Sequence, residues 1–332
     1  PKPSEKNSET RPPTTIPNSK IETCPPTPPS GSSKKIPISY LFLIGGSVIV
    51  YTYAKILKSS RNADTFKPKK LNVFKNVKEP CDPREIPTKV PYVLVGGGVA
   101  SLAAFRAIKC ADPYARVLMI DEEGQLPYMK PALSKEMWYF FDETDYEKKI
   151  FYTWDRRPRN IFYEPKEFYT KAGHLMESEY GGLAPILGYK VTKIDTDKKK
   201  LYLKDGPIIE YDKCLIATGS EPKNLKVIEN ADSSIRSKVI LYRSITDFQN
   251  LVNRLGNVKS LVIIGGGLLG SELASSMSHY ANENNIQIHQ IVQEKSNLYN
   301  YLPEYLSKLI TDRIKRLNVN VITNANVEEV RS

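Results

Sequence analysis

The sequence contains few of the residues that build metal sites and disulfide frameworks. Among 332 residues there are four cysteines and three histidines. The cysteines, at Cys24, Cys81, Cys110 and Cys214, have neither CxxC nor metal-ligand spacing, and the histidines do not cluster with them. We therefore predict no metal site and no disulfide framework, and this excludes a fold held together by either.

The first 37 residues lack the apolar side chains that a core needs. Ten of the 24 prolines lie there, in runs such as TCPPTPPS at residues 23–30. A segment of this composition cannot bury enough apolar surface to offset the entropy of ordering it. We predict that residues 1–37 are a disordered tether.

Charge is missing from residues 38–54, ISYLFLIGGSVIVYTYA, although lysines and arginines stand on both sides. At about 1.5 Å per residue a helix of this length covers roughly 26 Å, slightly less than a bilayer core. The run predicts a transmembrane helix over residues 38–57, followed by a linker over 58–88. The alternatives to a transmembrane helix are a buried core helix and the apolar part of a signal peptide. More positive charge follows the run than precedes it, which by the positive-inside rule places the folded part inside.

A strand, a glycine turn, a helix and a second strand follow from residue 90. The apolar run 90–95 ends in Gly96-Gly97-Gly98, residues 100–111 suit a helix, and the apolar run 116–120 closes on Asp121 and Glu122. The same order returns later, with a strand at 260–264, Gly265-Gly266-Gly267, a helix from 269 to about 284, a strand at 286–292 and then Glu294. Between the two units, residues 190–195, 200–204 and 208–217 predict three sequential strands, and residues 319–323 predict one more. The sequence therefore predicts an α/β fold with two Rossmann-like units and a β-meander insertion.

Such glycine turns bind the pyrophosphate of a dinucleotide, because the helix N-terminus offers free N–H groups and glycine permits close approach. The second copy matches G-x-G-x-x-G completely, whereas Ser101 stands at the third position of the first. Glycine turns also arise for packing alone, but here each has the flanking strand, the helix and a later acid. We predict Glu122, with Asp121 as its rival, and Glu294 as acceptors for ribose hydroxyls. An acid at this position disfavours a 2′-phosphate, so NADH is preferred to NADPH.

Five segments make the sequence resemble the two-dinucleotide flavoproteins, the family that includes glutathione reductase and the ferredoxin reductases of oxygenase systems, and within it the mitochondrial apoptosis-inducing-factor branch. The segments are GGG at 96–98, LPYMKPALSKE at 126–136, KCLIATG at 213–219, GSELA at 270–274 and LPEYLS at 302–307. The similarity covers about residues 89–332. It implies a glutathione-reductase-type architecture, with the N-terminal part of an FAD-binding domain at 89–220 and an incomplete NADH-binding domain at 221–332.

The resemblance also implies the site residues. Those for FAD are Gly96, Gly97, Gly98, Val99, Ala100, Glu122, Glu123, Lys130, Lys135, Val191 and Arg243. Those for NADH are Trp154, Gly266, Gly267, Leu268, Leu269 and Glu294. Lys135 and Glu272 are implied as a catalytic ion pair beside the flavin ring; the alternative is an ordinary surface pair.

Several positions depart from the family pattern. Lys130 stands where an arginine is usual, Leu268 replaces an aromatic residue, and Asn300 replaces a basic residue that contacts NADH. Each of these differences puts the affinity for the cofactor, rather than the fold, in doubt. The family completes its FAD domain with a segment after the NADH domain and adds a C-terminal domain. Residues 1–332 contain neither, and we leave open a fragment and a shortened isoform. Cys110 stands alone where a disulfide reductase needs a CxxxxC pair, which argues against that activity.

The resemblance implies a membrane-anchored flavoprotein that passes hydride from NADH to FAD, bound to the mitochondrial inner membrane with its soluble part in the intermembrane space. It further implies roles in respiratory-complex biogenesis and, after release and nuclear relocation, in cell death. The implied partners are the bilayer through residues 38–54, a mitochondrial import or assembly protein, DNA bound without sequence preference, and a second copy in an NADH-dependent dimer of the full-length protein. The net charge of +11 suits anionic partners. A redox-gated binding protein with slow NADH oxidation is the alternative, and a fragment without flavin is a third.

Overall fold

The computed structural model describes residues 81–331, together with the backbone of Leu43–Ile44 and Ser47–Val48. Two units are distinguished, Pro1–Ser59 and Ser60–Ser332. The predicted tether at 1–37 and most of the predicted linker at 58–88 lie outside the described residues, as does most of the predicted membrane helix.

Within the predicted membrane helix, the described residues form a pair of short strands. β1 (Leu43–Ile44) pairs antiparallel with β2 (Ser47–Val48), Leu43 opposite Val48. Gly45 and Gly46 connect the strands in the sequence, and a Gly-Gly pair weakens a helix interior while it suits a two-residue hairpin loop. At these residues the helix prediction is wrong. Elsewhere in the described part of the chain, every helix is too short or too polar to span a bilayer.

The second unit contains a six-stranded mixed sheet. Its strands are β3 (Lys89–Val95), β4 (Arg116–Asp121), β7 (Gly182–Leu187), β8 (Val191–Asp195), β9 (Lys200–Leu203) and β10 (Ile208–Ile216). The order is β7-β4-β3-β10-β9-β8, parallel from β7 to β10 and antiparallel beyond. The predicted meander is thus not a separate insertion, because β10 continues past β9 and pairs with β3 at the centre of the sheet.

A three-stranded parallel sheet, in the order β11-β12-β13, forms the second Rossmann-like unit. Its strands are β11 (Ser260–Ile264), β12 (Gln287–Ile291) and β13 (Val319–Ile322). The longer helices are α1 (Val99–Ala111) after β3, α6 (Ile245–Leu255), α7 (Leu268–Glu283) after β11 and α8 (Glu304–Arg316). Both strand–glycine–helix units that the sequence predicted are confirmed.

Short elements fill the chain between β4 and β7 and between β10 and α6. They are α2 (Glu136–Tyr139), α3 (Glu143–Glu147), the antiparallel pair β5 (Ile150–Tyr152) and β6 (Pro158–Asn160), α4 (Lys226–Glu229), α5 (Ser233–Arg236), and 3₁₀ turns at Pro83–Glu85, Lys130–Ser134, Lys166–Phe168 and Ala172–His174.

A shared hydrophobic core joins the two predicted dinucleotide units. Trp138, 1% exposed, packs against Phe248 of α6, with ring centroids 4.9 Å apart. Leu133 and Met137 lie in the same cluster as Ala274 and Met277 of α7. The 128–161 segment therefore packs on the helix that begins at the second glycine turn, and this brings residues predicted to bind flavin close to the helix predicted to bind NADH.

Candidate functional site

The first glycine turn has the backbone that a dinucleotide turn requires. Gly96 has φ +115°, and a Cβ there would lie 2.2 Å from the carbonyl oxygen of Ala217. A Cβ at Gly97 would lie 2.6 Å from Cγ of Asp121. Gly98 is the N-cap of α1, and a Cβ there would meet nothing within 4 Å. The turn is thus tightly packed on its strand side and open at the helix end.

The second turn repeats the backbone conformation of the first, although a Cβ at Gly265, unlike one at Gly96, would meet nothing within 4 Å. Gly265 has φ +122°, and its N–H donates to the carbonyl of Ile291 at 2.8 Å, as Gly96 N–H does to Ile120. A Cβ at Gly266 would lie 2.4 Å from Cγ1 of Val292. The N-cap of α7, Gly267, again has open space around its Cα.

The open space over both helix N-termini fits a pyrophosphate, whose charge the free N–H groups and the helix dipole stabilise. The predicted residues Val99, Ala100, Leu268 and Leu269 begin the two helices and are exposed there. Both dinucleotide turns thus fit the groups predicted for them.

A buried serine hydroxyl secures each turn. Ser101 Oγ donates to the carbonyl of Gly96 at 2.5 Å, and Ser271 Oγ donates to that of Gly266 at 3.1 Å. At the third fingerprint position, a Cβ on Gly270 would lie 2.3 Å from the Gly265 oxygen, which explains the glycine. In the first unit Ser101 stands at this position, and its hydroxyl bonds to the carbonyl of Gly96. This bond gives a structural reason for a serine where the fingerprint has glycine.

The two acids at the end of β4 have different roles. Asp121 accepts hydrogen bonds from the N–H groups of Gly97, at 2.9 Å, and Gly124, at 3.1 Å. Burial is the main cause of its raised pKa, and these hydrogen bonds only partly offset it. Glu122 is exposed and pairs with Lys190 at 2.8 Å. The arrangement leaves Glu122 accessible to a ribose and engages Asp121 in shaping the turn.

Lys130 and Glu123 meet beside Tyr128. Lys130 Nζ lies 3.0 Å from both Glu123 Oε2 and the Tyr128 hydroxyl, which itself donates to Glu123 Oε1. The Tyr128 hydroxyl also accepts from the N–H of Ile245, the first residue of α6. Burial and the nearby Glu123 raise the pKa of Tyr128, so the phenol remains protonated. Tyr128 is a residue that the sequence reasoning missed, because a Tyr in a loop carries no periodic signal.

Two further predicted flavin residues stand at the edges of this region. A Cβ on Gly219 would lie 3.0 Å from Nη2 of Arg243, so Arg243 reaches the turn that follows β10. Asp247 accepts from the N–H of Arg243 and, with Ser244, closes a capping box at the start of α6. Val191 begins β8, next to the Lys190 that pairs with Glu122.

Lys135 and Glu272 form the ion pair that the resemblance implied. Lys135 Nζ lies 3.0 Å from Glu272 Oε2, and each side chain is 31% exposed. The Ser134 hydroxyl donates to the same oxygen at 2.6 Å. Because Glu272 lies in the second turn of α7, this cluster joins the helix of the second unit to the flavin-side segment. Ser134 was missed, since a serine inside LSKE looks like an ordinary helix-start residue.

Glu294 follows β12 on a loop that returns to the glycine turn. Its carboxylate accepts from Nδ2 of Asn300 at 3.1 Å, and the N–H of Leu298 donates to the carbonyl of Gly266 at 2.7 Å. The loop that carries Glu294 is therefore bound to the second turn, and the role of Glu294 as a ribose acceptor stays a prediction. Trp154 lies between β5 and β6 and is 68% exposed.

A family model described as pyridine nucleotide-disulphide oxidoreductase matches residues 90–332. The chain belongs to this family. It is 42% identical over 251 residues to the putative mitochondrial apoptosis-inducing factor 1 of Drosophila melanogaster, covering 75% of this chain and 34% of that protein. It is 36% identical over 242 residues to the mitochondrial apoptosis-inducing factor 1 of Dictyostelium discoideum, covering 72% of this chain and 43% of that protein.

Among solved structures, the NADH:rubredoxin oxidoreductase of Clostridium acetobutylicum is similar, with a TM-score of 0.54 and 25% identity over 72% of this chain and 54% of that one. The predicted resemblance is thereby confirmed. The chain spans between a third and a half of the length of the curated relatives it matches.

The cysteines of this family member do not form a redox pair in the described residues. Cys81, Cys110 and Cys214 are free thiols there, and burial raises the pKa of Cys81 and Cys214. A high thiol pKa lowers the thiolate fraction that disulfide exchange needs. The geometry does not support disulfide chemistry at these positions.

Proposed function

We propose that the chain binds FAD at Gly96–Gly98 and NADH at Gly265–Gly267, and that it belongs to an oxidoreductase that takes electrons from NADH. The observation that carries the proposal is the cluster of Ser134, Lys135 and Glu272. It joins the helix of one glycine turn to the segment beside the other, as electron transfer between two bound dinucleotides requires.

The chain's own residues suit this chemistry. FAD, when bound, supplies the hydride acceptor, and the protein supplies binding, orientation and electrostatics. Lys135 provides a positive charge that stabilises negative charge developing on a reduced ring system. Glu272 holds the Lys135 ammonium in place, and the Ser134 hydroxyl holds Glu272.

Cofactor binding by these turns can be tested with two matched variants of the whole chain. A Cβ at either Gly98 or Gly267 has open space, so Gly98→Val and Gly267→Val are expected to fold. Gly98→Val should lose the visible absorbance of bound flavin. Gly267→Val should keep flavin but require much more NADH to bleach it under anaerobic conditions. If both variants retain flavin and full sensitivity to NADH, the proposal is wrong.

The electron acceptor is proposed to be a quinone, oxygen or a protein. The relative from Clostridium is named for rubredoxin, and the lack of a paired cysteine at Cys110 favours an acceptor other than a disulfide. We further propose the family-derived partners: an import or assembly protein, nonspecific DNA, and a second copy in an NADH-dependent dimer.

We propose that the protein is mitochondrial, attached to the inner membrane through residues 38–54 with its soluble part in the intermembrane space, and moves to the nucleus after release in cell death. Two relatives carry names with the word mitochondrial. Attachment rests on the uncharged run between lysine-rich flanks.

Deletion of residues 38–54 tests this attachment. The shortened chain should leave the membrane pellet and keep the flavin content of the parent, because the deleted run lies outside the folded unit. Deletion of residues 10–26, of equal length, is the control and should leave the protein in the pellet. Persistent pelleting after the first deletion would refute attachment through this segment.

A further inference from the structure

A buried asparagine links the second glycine turn to the loop that carries Glu294. Asn297 is fully buried, and its Nδ2 donates to Gln290 Oε1 at 2.9 Å and to Ser271 Oγ at 3.0 Å. Each of these partners continues to the turn. Gln290 Nε2 donates to the carbonyl of Gly265 at 2.9 Å, and Ser271 Oγ donates to that of Gly266 at 3.1 Å.

The other polar groups of Asn297 are bound to α8. Its N–H donates to Thr311 Oγ1 at 2.8 Å. The single proton of that hydroxyl is shared between Asn297 Oδ1 and the carbonyl of Ser307, each 3.1 Å away. The Asn297 carbonyl accepts from Ser307 Oγ at 2.9 Å. Each polar group of Asn297 thus has a partner inside the protein, away from water.

The free energy of burying these polar groups indicates the role of the network. Placing an amide and several hydroxyls in a core stabilises the fold no better than apolar packing, and a partly satisfied network is worse. A fully satisfied network does fix one geometry. Here the fixed geometry is that of three elements around the proposed NADH site: the glycine turn, the start of α8, and the loop from Glu294 to Leu298.

We propose that Asn297 is a positioning residue for the dinucleotide site, setting the distance between the Glu294 carboxylate and the glycine turn. Asn297 follows Glu294 by three positions in the sequence, and the next residue, Leu298, donates its N–H to the carbonyl of Gly266. A dinucleotide bound at both places needs its pyrophosphate and its ribose hydroxyls met at the same time. The inference rests on the proposed NADH site. It adds the residue that holds the Glu294 loop against the glycine turn.

The test is a double-mutant cycle on the whole chain, read as NADH affinity by isothermal titration calorimetry. Thr311→Val removes the hydroxyl that bonds Asn297 twice while it keeps the shape of the side chain, and Asn297→Ala removes the hub itself. Either change should weaken NADH binding about tenfold when Glu294 is present, and less than twofold in a Glu294→Ala background. Such coupling shows that the network acts through Glu294.

Ser278→Ala is the matched control, because its buried hydroxyl bonds only to the Ser275 carbonyl of its own helix. It also removes a buried hydroxyl, but it should leave NADH affinity unchanged. Equal loss of affinity in both Glu294 backgrounds, or no loss from Thr311→Val, would overturn the positioning role. If Glu294→Ala alone leaves affinity unchanged, Glu294 does not contact the coenzyme and this inference fails, whereas the proposed site at Gly265–Gly267 fails only if Gly267→Val also leaves NADH binding unchanged.

Discussion

At the scale of single residues, the acids behind the two glycine turns are held by different partners. Asp121 is bound by backbone N–H groups, those of Gly97 and Gly124 among them, and Glu294 by the side chain of Asn300. A backbone contact fixes an acid into the fold, whereas a side-chain amide leaves the second carboxylate oxygen accessible. The two positions therefore lead to opposite expectations: substitution affects stability at Asp121 and ligand choice at Glu294.

Glu294→Arg should reverse the coenzyme preference. The arginine replaces an acceptor for the ribose hydroxyls with a partner for a 2′-phosphate, so NADH should bind about tenfold more weakly and NADPH more tightly. The measurement is competitive titration of the two coenzymes. Glu283→Arg, which makes the same charge change near the far end of α7, should leave the ratio unchanged. An unchanged ratio in Glu294→Arg would remove Glu294 from the site.

Asp121→Asn should change the pH dependence of stability. Because the folded-state pKa of Asp121 is raised, the protonated acid contributes stability below the unfolded pKa of about 4 and loses it as the pH rises through the folded pKa. The melting temperature of Asp121→Asn relative to the parent should therefore rise between pH 4 and pH 7. A difference that stays constant across this range would contradict the assigned burial of the carboxylate.

Single residues were predictable from the sequence where a local pattern marked them. The glycines, Glu122 and Glu294 follow from the spacing after a strand, and Lys135 and Glu272 from the resemblance. Asn297 and Gln290 were not, because a buried amide in a polar stretch has the same appearance in the sequence as a solvated loop. The partners of Asn297 come from α8, β12 and the start of α7, which only the folded chain brings together.

At the scale of elements, the junction between β11 and α7 leaves no room for a side chain at its third glycine. Gly270→Ala places a Cβ 2.3 Å from the Gly265 carbonyl oxygen, and backbone does not move aside cheaply. The variant should lose about 1–3 kcal/mol of unfolding free energy, more than the helix propensity of alanine returns. Chemical denaturation measures this. Gly267→Ala, in open space, should unfold like the parent; equal loss in both would contradict steric packing.

The elements that the sequence missed differ in their local signals. β7 begins at Gly182, directly after Gly181, and contains Pro185, and these residues argue against a strand. It forms because it is the edge strand of the sheet, where a missing N–H costs no bond to a neighbour. α6 did have a signal, the Ser244-to-Asp247 capping box. At β1 and β2 the error is of a different kind. The uncharged run predicts a helix, although the Gly45-Gly46 pair within it favours a hairpin loop.

At the scale of the whole molecule, positive charge is distributed very unevenly. Residues 1–80 contain 14 of the 48 basic side chains and five of the 37 acidic ones, so they hold nine of the eleven net positive charges. The family-matched part, by contrast, is close to neutral. Any attraction to a polyanion should therefore come from the N-terminal part of the chain rather than from the dinucleotide-binding sheets.

Nonspecific DNA binding should accordingly depend on salt and on residues 1–80. Lysines and arginines that neutralise phosphates release counterions, so the logarithm of affinity should fall linearly with the logarithm of salt, by about 0.9 for each phosphate contacted. Retention on random-sequence duplexes across a salt series measures this, with the whole chain compared with a chain that begins at residue 81. The shortened chain should bind at least tenfold more weakly at low salt and show a shallower slope, because the net charge that remains is small.

A single duplex sequence should be retained no better than the random pool, since phosphate contacts carry no base information. Equal retention of the two chains would move the binding surface to the folded part, and strong preference for one sequence would rule out the phosphate-only model.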